Sequence, residues 1–311
     1  TVDITDAVQN YTIATYTNSN TNGQPSTLVA CNDGPPAALL GAFYIPSCNA
    51  QLDRQQAAGQ NDFYDVASSM PEAGVKIEQW QAINHTDWEI NDELVLKNIF
   101  SYANLETSNA TDLFGLNFLQ PNGGQRVFAT AGVRPGLPTT SQDTLVEELQ
   151  LQGTSFDDAL TWQGGLYYEH STPDGQSGGQ SPGQIDCDLS TLNTTNANDF
   201  RCDAIFFLSN VMMSEQEVEY DNRAVFLQAT YDITDQLSVT GGGRYTWDET
   251  KGSTTDTIYK FDDDGILEAP DEVVNFDKVN MEQKSDKPTW VSDVSYKPTT
   301  ETMVYAKYAR G

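Results

Sequence analysis

The sequence predicts an all-β protein: an antiparallel transmembrane β-barrel, here an incomplete segment of about nine strands with long extracellular loops and short periplasmic turns. Three observations predict it. Short polar corners recur at Ile90-Asn91-Asp92, Phe156-Asp157-Asp158, Ile233-Thr234-Asp235 and Pro298-Thr299-Thr300, and Ile4-Thr5-Asp6 has the look of a fifth. Runs of about ten residues beside them alternate apolar with polar, the period of a strand that is apolar on one face. Long loops rich in Gly, Asn, Thr and Asp separate the runs, so successive corners lie roughly 65 to 85 positions apart, room for two strands and a loop. Soluble sandwiches usually keep their connections short at both ends.

In order, the first strand spans Tyr11 to Thr17 and leads into a long loop, about Asn18 to Gly74, with Pro35-Pro36 and small residues. The return strand, Val75 to Trp88, turns at Ile90-Asn91-Asp92 into Leu94 to Leu105. That last strand does not alternate cleanly. A loop from about Glu106 to Gln142 follows, with Pro121-Asn122-Gly123-Gly124 as its strongest turn signal. Thr144 to Ser155 and Leu160 to Ser171 flank Asp157-Asp158, and a Gly/Ser/Asn-rich loop comes next. Val218 to Asp232 and Leu237 to Glu249 flank Thr234-Asp235. After an Asp-rich loop, Lys284 to Tyr296 and Glu301 to Ala309 form the final hairpin.

Alternation is cleanest in Leu237, Val239, Gly241, Gly243, Tyr245 and Trp247, whose intervening neighbours are polar apart from Gly242. Val225, Leu227, Ala229 and Tyr231 repeat the pattern, as do Leu160, Trp162, Gly164, Leu166 and Tyr168. Period alone does not say whether this face meets lipid or a protein core. Aromatic residues near strand ends (Trp88, Trp162, Tyr245, Trp247, Tyr296) point to lipid, because amphipathic rings favour the two membrane interfaces.

Composition sets limits. With 38% hydrophobic residues and a mean hydropathy of -0.49, no run of about 20 apolar residues is visible that could cross a membrane as a helix. Asp plus Glu number 45 against 16 Lys plus Arg, a net charge of -29, which excludes nucleic acid as a partner because phosphate binding needs clustered cations. Much of the acid lies in loops, as in Asp262-Asp263-Asp264 and Asp271-Glu272. Four cysteines form two local pairs, Cys31 with Cys48 and Cys187 with Cys202, each within one loop. Neither has zinc-site spacing, and two intra-loop disulfides in an oxidising compartment fit best, each worth about 3 kcal/mol in the chain-entropy model; free buried thiols are the alternative. The chain opens without Met or an apolar leader and stops at Tyr308-Ala309-Arg310-Gly311 inside a strand pattern, so an internal fragment is expected. Outside a complete barrel its two open edges should drive aggregation.

Several strand sequences resemble the barrel of TonB-dependent outer-membrane receptors. They are Leu145-Val146-Glu147-Glu148-Leu149-Gln150-Leu151, Trp162-Gln163-Gly164-Gly165-Leu166-Tyr167-Tyr168 and the run from Ala224 to Val239 through Thr234-Asp235-Gln236-Leu237. Gly242-Gly243-Arg244-Tyr245-Thr246-Trp247-Asp248 and Val304-Tyr305-Ala306-Lys307-Tyr308-Ala309-Arg310-Gly311 belong with them. The resemblance covers nearly the whole chain outside the loops. It implies a barrel of about 22 strands around a plug, of which residues 1–311 would be a partial barrel without the plug or the C-terminal strands. It further implies a Gram-negative outer membrane with its lipid and the TonB-ExbB-ExbD complex as partners, engaged through a region preceding this chain. The implied function is active uptake of a scarce, bulky nutrient, foremost a ferric siderophore, with vitamin B12 or an oligosaccharide also open. Cargo contacts would come from loop aromatics: Phe43, Tyr44, Phe63, Tyr64, Phe114, Phe118, Phe206 and Phe207, for each of which ordinary loop packing is the alternative. The few loop cations, Arg54, Arg126, Arg134 and Arg201, argue against a strongly anionic ligand.

Catalytic and cofactor chemistry finds no support. Gly241-Gly242-Gly243 lacks the Lys-Ser/Thr of a phosphate loop, and mid-strand packing explains it. Asp262-Asp263-Asp264-Gly265 has Lys260 where the first ligand of a calcium loop belongs. Glu147-Glu148 point to opposite strand faces and Asp157-Asp158 sit in a turn, poor geometry for paired acid/base work. His85 and His170 stand apart from any nucleophile signature. No enzyme, cofactor or metal is expected. A passive porin-like barrel and a secreted soluble β-rich binding protein are the competing readings.

Overall fold

The structure, a computed structural model, describes residues 2–23, 26–31, 41–60, 62, 65–66, 70, 73–127 and 130–311, without the side chains of 41–44. Its strands begin with β1 (Val2–Thr5), β2 (Val8–Thr21), β3 (Gly74–Asn91) and β4 (Leu94–Asp112). Three short pieces follow, β5 (Phe118–Leu119), β6 (Gln125–Val127) and β7 (Thr130–Val133), before the hairpin of β8 (Thr140–Ser155) and β9 (Leu160–Pro173). Next come β10 (Ser177–Gly183), β11 (Ile185–Cys187) and β12 (Cys202–Ala204). The long pair β13 (Asn210–Thr234) and β14 (Leu237–Lys260) precedes β15 (Glu272–Asn275), β16 (Val279–Thr299) and β17 (Thr302–Arg310).

The main sheet is an antiparallel meander in which β1, β2, β3, β4, β8, β9, β13, β14, β16 and β17 pair in chain order. All five polar corners are tight turns, at residues 6–7, 92–93, 156–159, 235–236 and 300–301. At the third of these corners Phe156, Asp157 and Asp158 adopt φ of 61°, 54° and 66°. Aspartate tolerates the left-handed region, whereas Phe156 is strained there. The nine expected strands are present, and β1 adds a tenth ahead of the first corner.

Register decides which side chains share a face. Val8, Trp88, Leu96, Leu151, Gly164, Leu227, Gly243, Trp290 and Arg310 form one cross-strand row from β2 to β17. Stepping by two from that row gives Leu94, Phe100, Leu149, Leu166, Val225, Val239, Val294 and Tyr296, the apolar face. Leu166 and Leu227 there are 57% and 60% exposed, so no second sheet covers them. The opposite face carries Lys97, Glu148, Gln150, Gln163, Gln228, Arg244 and Thr289. The uneven pattern of β4 resolves in the same way: Leu94 and Leu96 belong to one face and Val95 to the other.

Four expectations are corrected. The first loop, expected to be structureless, contains a helix, α1 (Gly41–Ala57), which has Pro46 inside it. β4 runs past Leu105 to Asp112, while β13 starts at Asn210 rather than Val218 and β14 ends at Lys260 rather than Glu249. Ladder hydrogen bonding continues there although Ser214-Glu215-Gln216-Glu217 is polar on both faces. Beyond the β8–β9 hairpin, β7 and β10 fill the gap between β4 and β13, and β10 pairs with β13 over seven positions. Finally, β12, β11, β6 and β5 form a separate small sheet from two different loops. No described helix is long and apolar enough to cross a membrane, which says nothing of strands.

Candidate functional site

The loop end of the sheet holds the buried hydrophobic core. Val127, Ile185, Phe200, Val211, Met213 and Phe261 pack around the Cys187–Cys202 disulfide, and Phe200 meets Tyr259 edge to face at 5.5 Å. Val211 and Met213 are odd-numbered on β13, like Val225 and Leu227, so this loop module rests on the apolar face of the sheet beyond the end of its apolar band. Both expected disulfides are present, Cys31–Cys48 and Cys187–Cys202. Cys187 and Cys202 are directly paired positions of β11 and β12.

Polar groups lock the module. The Arg126 guanidinium on β6 donates twice to the Asp186 carboxylate on β11, at 2.9 and 3.0 Å, with side chains only 12% and 6% exposed. Two parallel charge-assisted bonds of this kind offset part of the cost of burying both charges. On the other side of the loops, α1 is tied down by Gln51, which donates to the Gly115 carbonyl and accepts from the Asn117 amide. Asp112 gathers the amides of Phe114, Gly115 and Leu116 at 3.0 to 3.2 Å. Gly115 has φ +65° and a Cβ there would collide with the Ser26 carbonyl oxygen, so only glycine fits.

Among the described residues, two cavities are lined at this end. The larger, of about 700 Å³, is bounded by Asn20, Lys76, Ser108, Gly132, Gln180 and Leu192 among others. Asn20, Lys76 and Ser108 stand in one row that shares parity with Trp80 and Tyr102, so this cavity lies on the apolar-face side and not on the polar face. The smaller, of about 260 Å³, lies between the Phe206–Phe207 pair and Lys260, Asp262, Asp263 and Glu272. Carboxylate oxygens of Asp262, Glu268 and Asp271 come within 4.8 Å of one another beside it. Burial, then the nearby Asp264, Asp271 and Asp262 charges, raise the Glu268 pKa above the usual carboxylate range. Asp203 is raised as well, by burial first and by Asp186 and Asp263, against the Gly265 amide that donates to it. Hydrogen bonds internal to the loop account for part of the cluster, as where the Asp262 amide donates to Asp271.

The expected aromatic contacts do not form one group. Phe207 is 89% exposed and stands edge to face with Phe206 at 6.1 Å. Phe114 is exposed on the Asp112 loop. Phe118 is buried at 3% exposure in β5. Phe63 and Tyr64 lie outside the described residues, as do the side chains of Phe43 and Tyr44. Of the loop cations, Arg54 donates to the Asn117 carbonyl, Arg126 to Asp186, Arg134 to Glu215 and Arg201 to the Asn198 carbonyl. Sequence reasoning missed Asp203 and Glu268, which reach the acidic cluster through the β11–β12 hairpin and the isolated bridge from Cys202 to Glu268. The run Asp262-Asp263-Asp264 before Gly265, with Glu268 and Asp271 after it, was the available signal.

The polar face has its own networks. Near the turns, Tyr11 Oη lies 2.6 Å from His85 Nδ1, His85 Nε2 lies 3.0 Å from Asp87, and Lys97 is 3.6 Å from Asp87. Midway along, Tyr167 donates to Glu169 at 2.6 Å and Arg244 sits over the Tyr167 ring at 4.9 Å. Closely spaced cations, carboxylates and hydroxyls of this kind line a hydrated surface rather than a dry core.

Comparison with known proteins completes the description. The family described as TonB dependent receptor-like, beta-barrel matches residues 3–311. Among solved structures, the ferric-catecholate import receptor Fiu of E. coli K12 is similar in its open form over 97% of this chain and 44% of its own, with 16% identity and TM-score 0.55. Its closed form matches 97% of this chain and 41% of its own at 14% identity and TM-score 0.50. The ferric yersiniabactin uptake receptor FyuA of Yersinia pestis matches 78% and 29% at 12% identity and TM-score 0.49. This chain thus spans less than half the length of each, and at such identities the likeness to the Fiu structures speaks for fold alone. No protein of curated function matches by sequence.

Proposed function

The chain belongs to the TonB-dependent receptor β-barrel family, and from that premise we propose that its strands are an arc of a closed barrel in a Gram-negative outer membrane. The receptor takes up a scarce, bulky nutrient, most naturally a ferric siderophore, with energy supplied through TonB. One observation carries this reading: a single apolar row runs unbroken from Val8 to Trp290 across eight paired strands, uncovered, with tight turns at one end and long folded loops at the other. Apolar side chains so exposed on every strand find their complement in lipid. The polar face then borders the lumen. Support for the cargo comes from the similar Fiu structures, a ferric-catecholate import receptor by description.

Among the described residues, Phe114, Phe206 and Phe207 are the loop aromatics available to a cargo, and the acidic rim beside Phe206 and Phe207 disfavours a bare anion. Uptake of iron-loaded siderophores by cells carrying the full-length receptor, with and without TonB, tests the proposal. Uptake that requires both is expected. Equal uptake in the absence of TonB would remove the energised step, and no uptake of any iron-loaded siderophore would remove the cargo class.

A further inference from the structure

The apolar face is not apolar everywhere. On β3, Trp88 and Trp80 stand eight residues apart on that face, which at about 3.3 Å per residue and a tilt of about 40° separates them by about 20 Å along the membrane normal, near the height of a hydrocarbon band. The positions between them on β3 are Thr86, Asn84 and Ala82, and their direct partners on β2 are Asn10, Thr12 and Ala14. On β4 the corresponding partners are Asn98, Phe100 and Tyr102. Over β2 and β3 this stretch holds no Leu, Ile, Val or Phe and no charge. At the same distance from its turn, β13 presents Ala229, Leu227 and Val225 on that face.

The polar groups are knitted together. Asn10 Nδ2 donates to Asn84 Oδ1 and Asn84 Nδ2 to Asn10 Oδ1, both at 3.1 Å. Asn10 also donates to Thr86 at 2.7 Å and Asn84 to Thr12 at 2.9 Å. Asn98 donates to Glu147 at the edge of the patch. Acyl chains gain nothing from amides and hydroxyls, and small residues with polar ones are what membrane-embedded protein contacts use to bring backbones close.

We propose that this patch is the contact through which two copies of the receptor associate inside the membrane, an inference that rests on the membrane placement above. A second copy is the fitting occupant because each amide and hydroxyl both donates and accepts, so the surface complements itself about a two-fold axis near Ala14 and Ala82. Over β2 and β3 the patch carries no charge in a chain of net charge -29, and Glu147 borders it beyond β4. Three strands at about 4.8 Å spacing and about 26 Å length give on the order of 400 Å², below the roughly 800 Å² per partner of a stable soluble interface. The pair therefore holds in the membrane and dissociates readily in detergent.

The test uses the full-length receptor in native outer membranes with single cysteines at Ala82→Cys, Ala14→Cys and, as control, Leu227→Cys. A catalytic oxidant is expected to cross-link A82C and A14C into dimers at least tenfold more than L227C, with two differently tagged copies recovered together. A heat-modifiable gel shift reports folding, and A14C serves if A82C does not fold. Equal cross-linking at all three positions, none at either patch position, or a product joined to a different protein would each overturn the proposal. A water-soluble maleimide separates the two levels: labelling of L227C would strike the membrane placement itself, whereas protection of L227C with no dimer strikes only the pairing.

Discussion

Removing the Asp186 carboxylate should open the loop module without disturbing the barrel wall. Asp186→Leu leaves the Arg126 guanidinium, only 12% exposed, without the two bonds of 2.9 and 3.0 Å that it now makes. Breaking a buried pair on one side costs about 3–5 kcal/mol, because the remaining charge stays buried and loses its strongest bonds, while replacing both partners with apolar residues of similar size is often neutral. At 1.4 kcal/mol per factor of ten, amides of β6 and β11 should exchange about 10² to 10³·⁵ times faster in Asp186→Leu if exchange proceeds through opening of the module. The double variant Asp186→Leu/Arg126→Met should return most of the way to wild type. Amides of the β13–β14 ladder between Ala224 and Tyr231 should not change, because they lie along a different hydrogen-bonded sheet. Hydrogen exchange on the purified receptor reads all three. Equal exchange in the single and double variants would refute the argument that a desolvated charge, rather than lost packing, sets the cost.

Three further outcomes follow from the geometry. Asp203 and Glu268 both have raised pKa values, so the folded module binds protons more tightly than the unfolded one; its stability is greatest below the usual carboxylate range and is lost as pH rises through that range towards the raised values. Exchange of β12 amides, corrected for intrinsic chemistry, should therefore quicken as pH rises through the usual carboxylate range and beyond it, and Asp203→Asn should flatten the dependence; a slope of opposite sign defeats the reasoning. Leu227→Arg, midway between Tyr231 and the Arg223–Trp247 row, should cost about 2–4 kcal/mol in folding into lipid vesicles, against at most about 0.5 for Gln228→Arg on the other face; equal costs would mean the two faces see the same solvent. Phe207→Ser, at a side chain 89% exposed, should weaken cargo affinity several-fold with folding unchanged, and unaltered affinity takes Phe207 out of the cargo surface.

The wall of the barrel was legible because one physical rule repeats. Period-two alternation in Val225, Leu227, Ala229 and Tyr231 assigns a face, and the register then carries that assignment across every neighbouring strand. The corners were legible because Asn91-Asp92 and Thr234-Asp235 interrupt such runs with residues that favour turns. The disulfides followed from two cysteine pairs each confined to one loop. The loops themselves were not legible. β5, β6, β11 and β12 are two or three residues long, too short for any period, and they find one another across two loops. α1 has no continuous apolar stripe and contains Pro46, so nothing local marks it as helical; its hold on Asn117 and Gly115 through Gln51 is tertiary. Strands β13 and β14 overran their expected ends because paired backbones continue past the apolar band, where polar residues on both faces erase the alternation. The candidate site shares that fate: Phe206 and Phe207 were visible as loop aromatics, but the acids beside them come from another loop.

Collision accessibility of spin labels placed one at a time from position 224 to 231 of the membrane-reconstituted receptor tests the central claim most directly. Labels at 225, 227 and 229 should meet dissolved oxygen and escape a water-soluble nickel chelate, while those at 226, 228 and 230 do the reverse. Odd positions shielded from both reagents, as in the interior of a globule, would contradict the account.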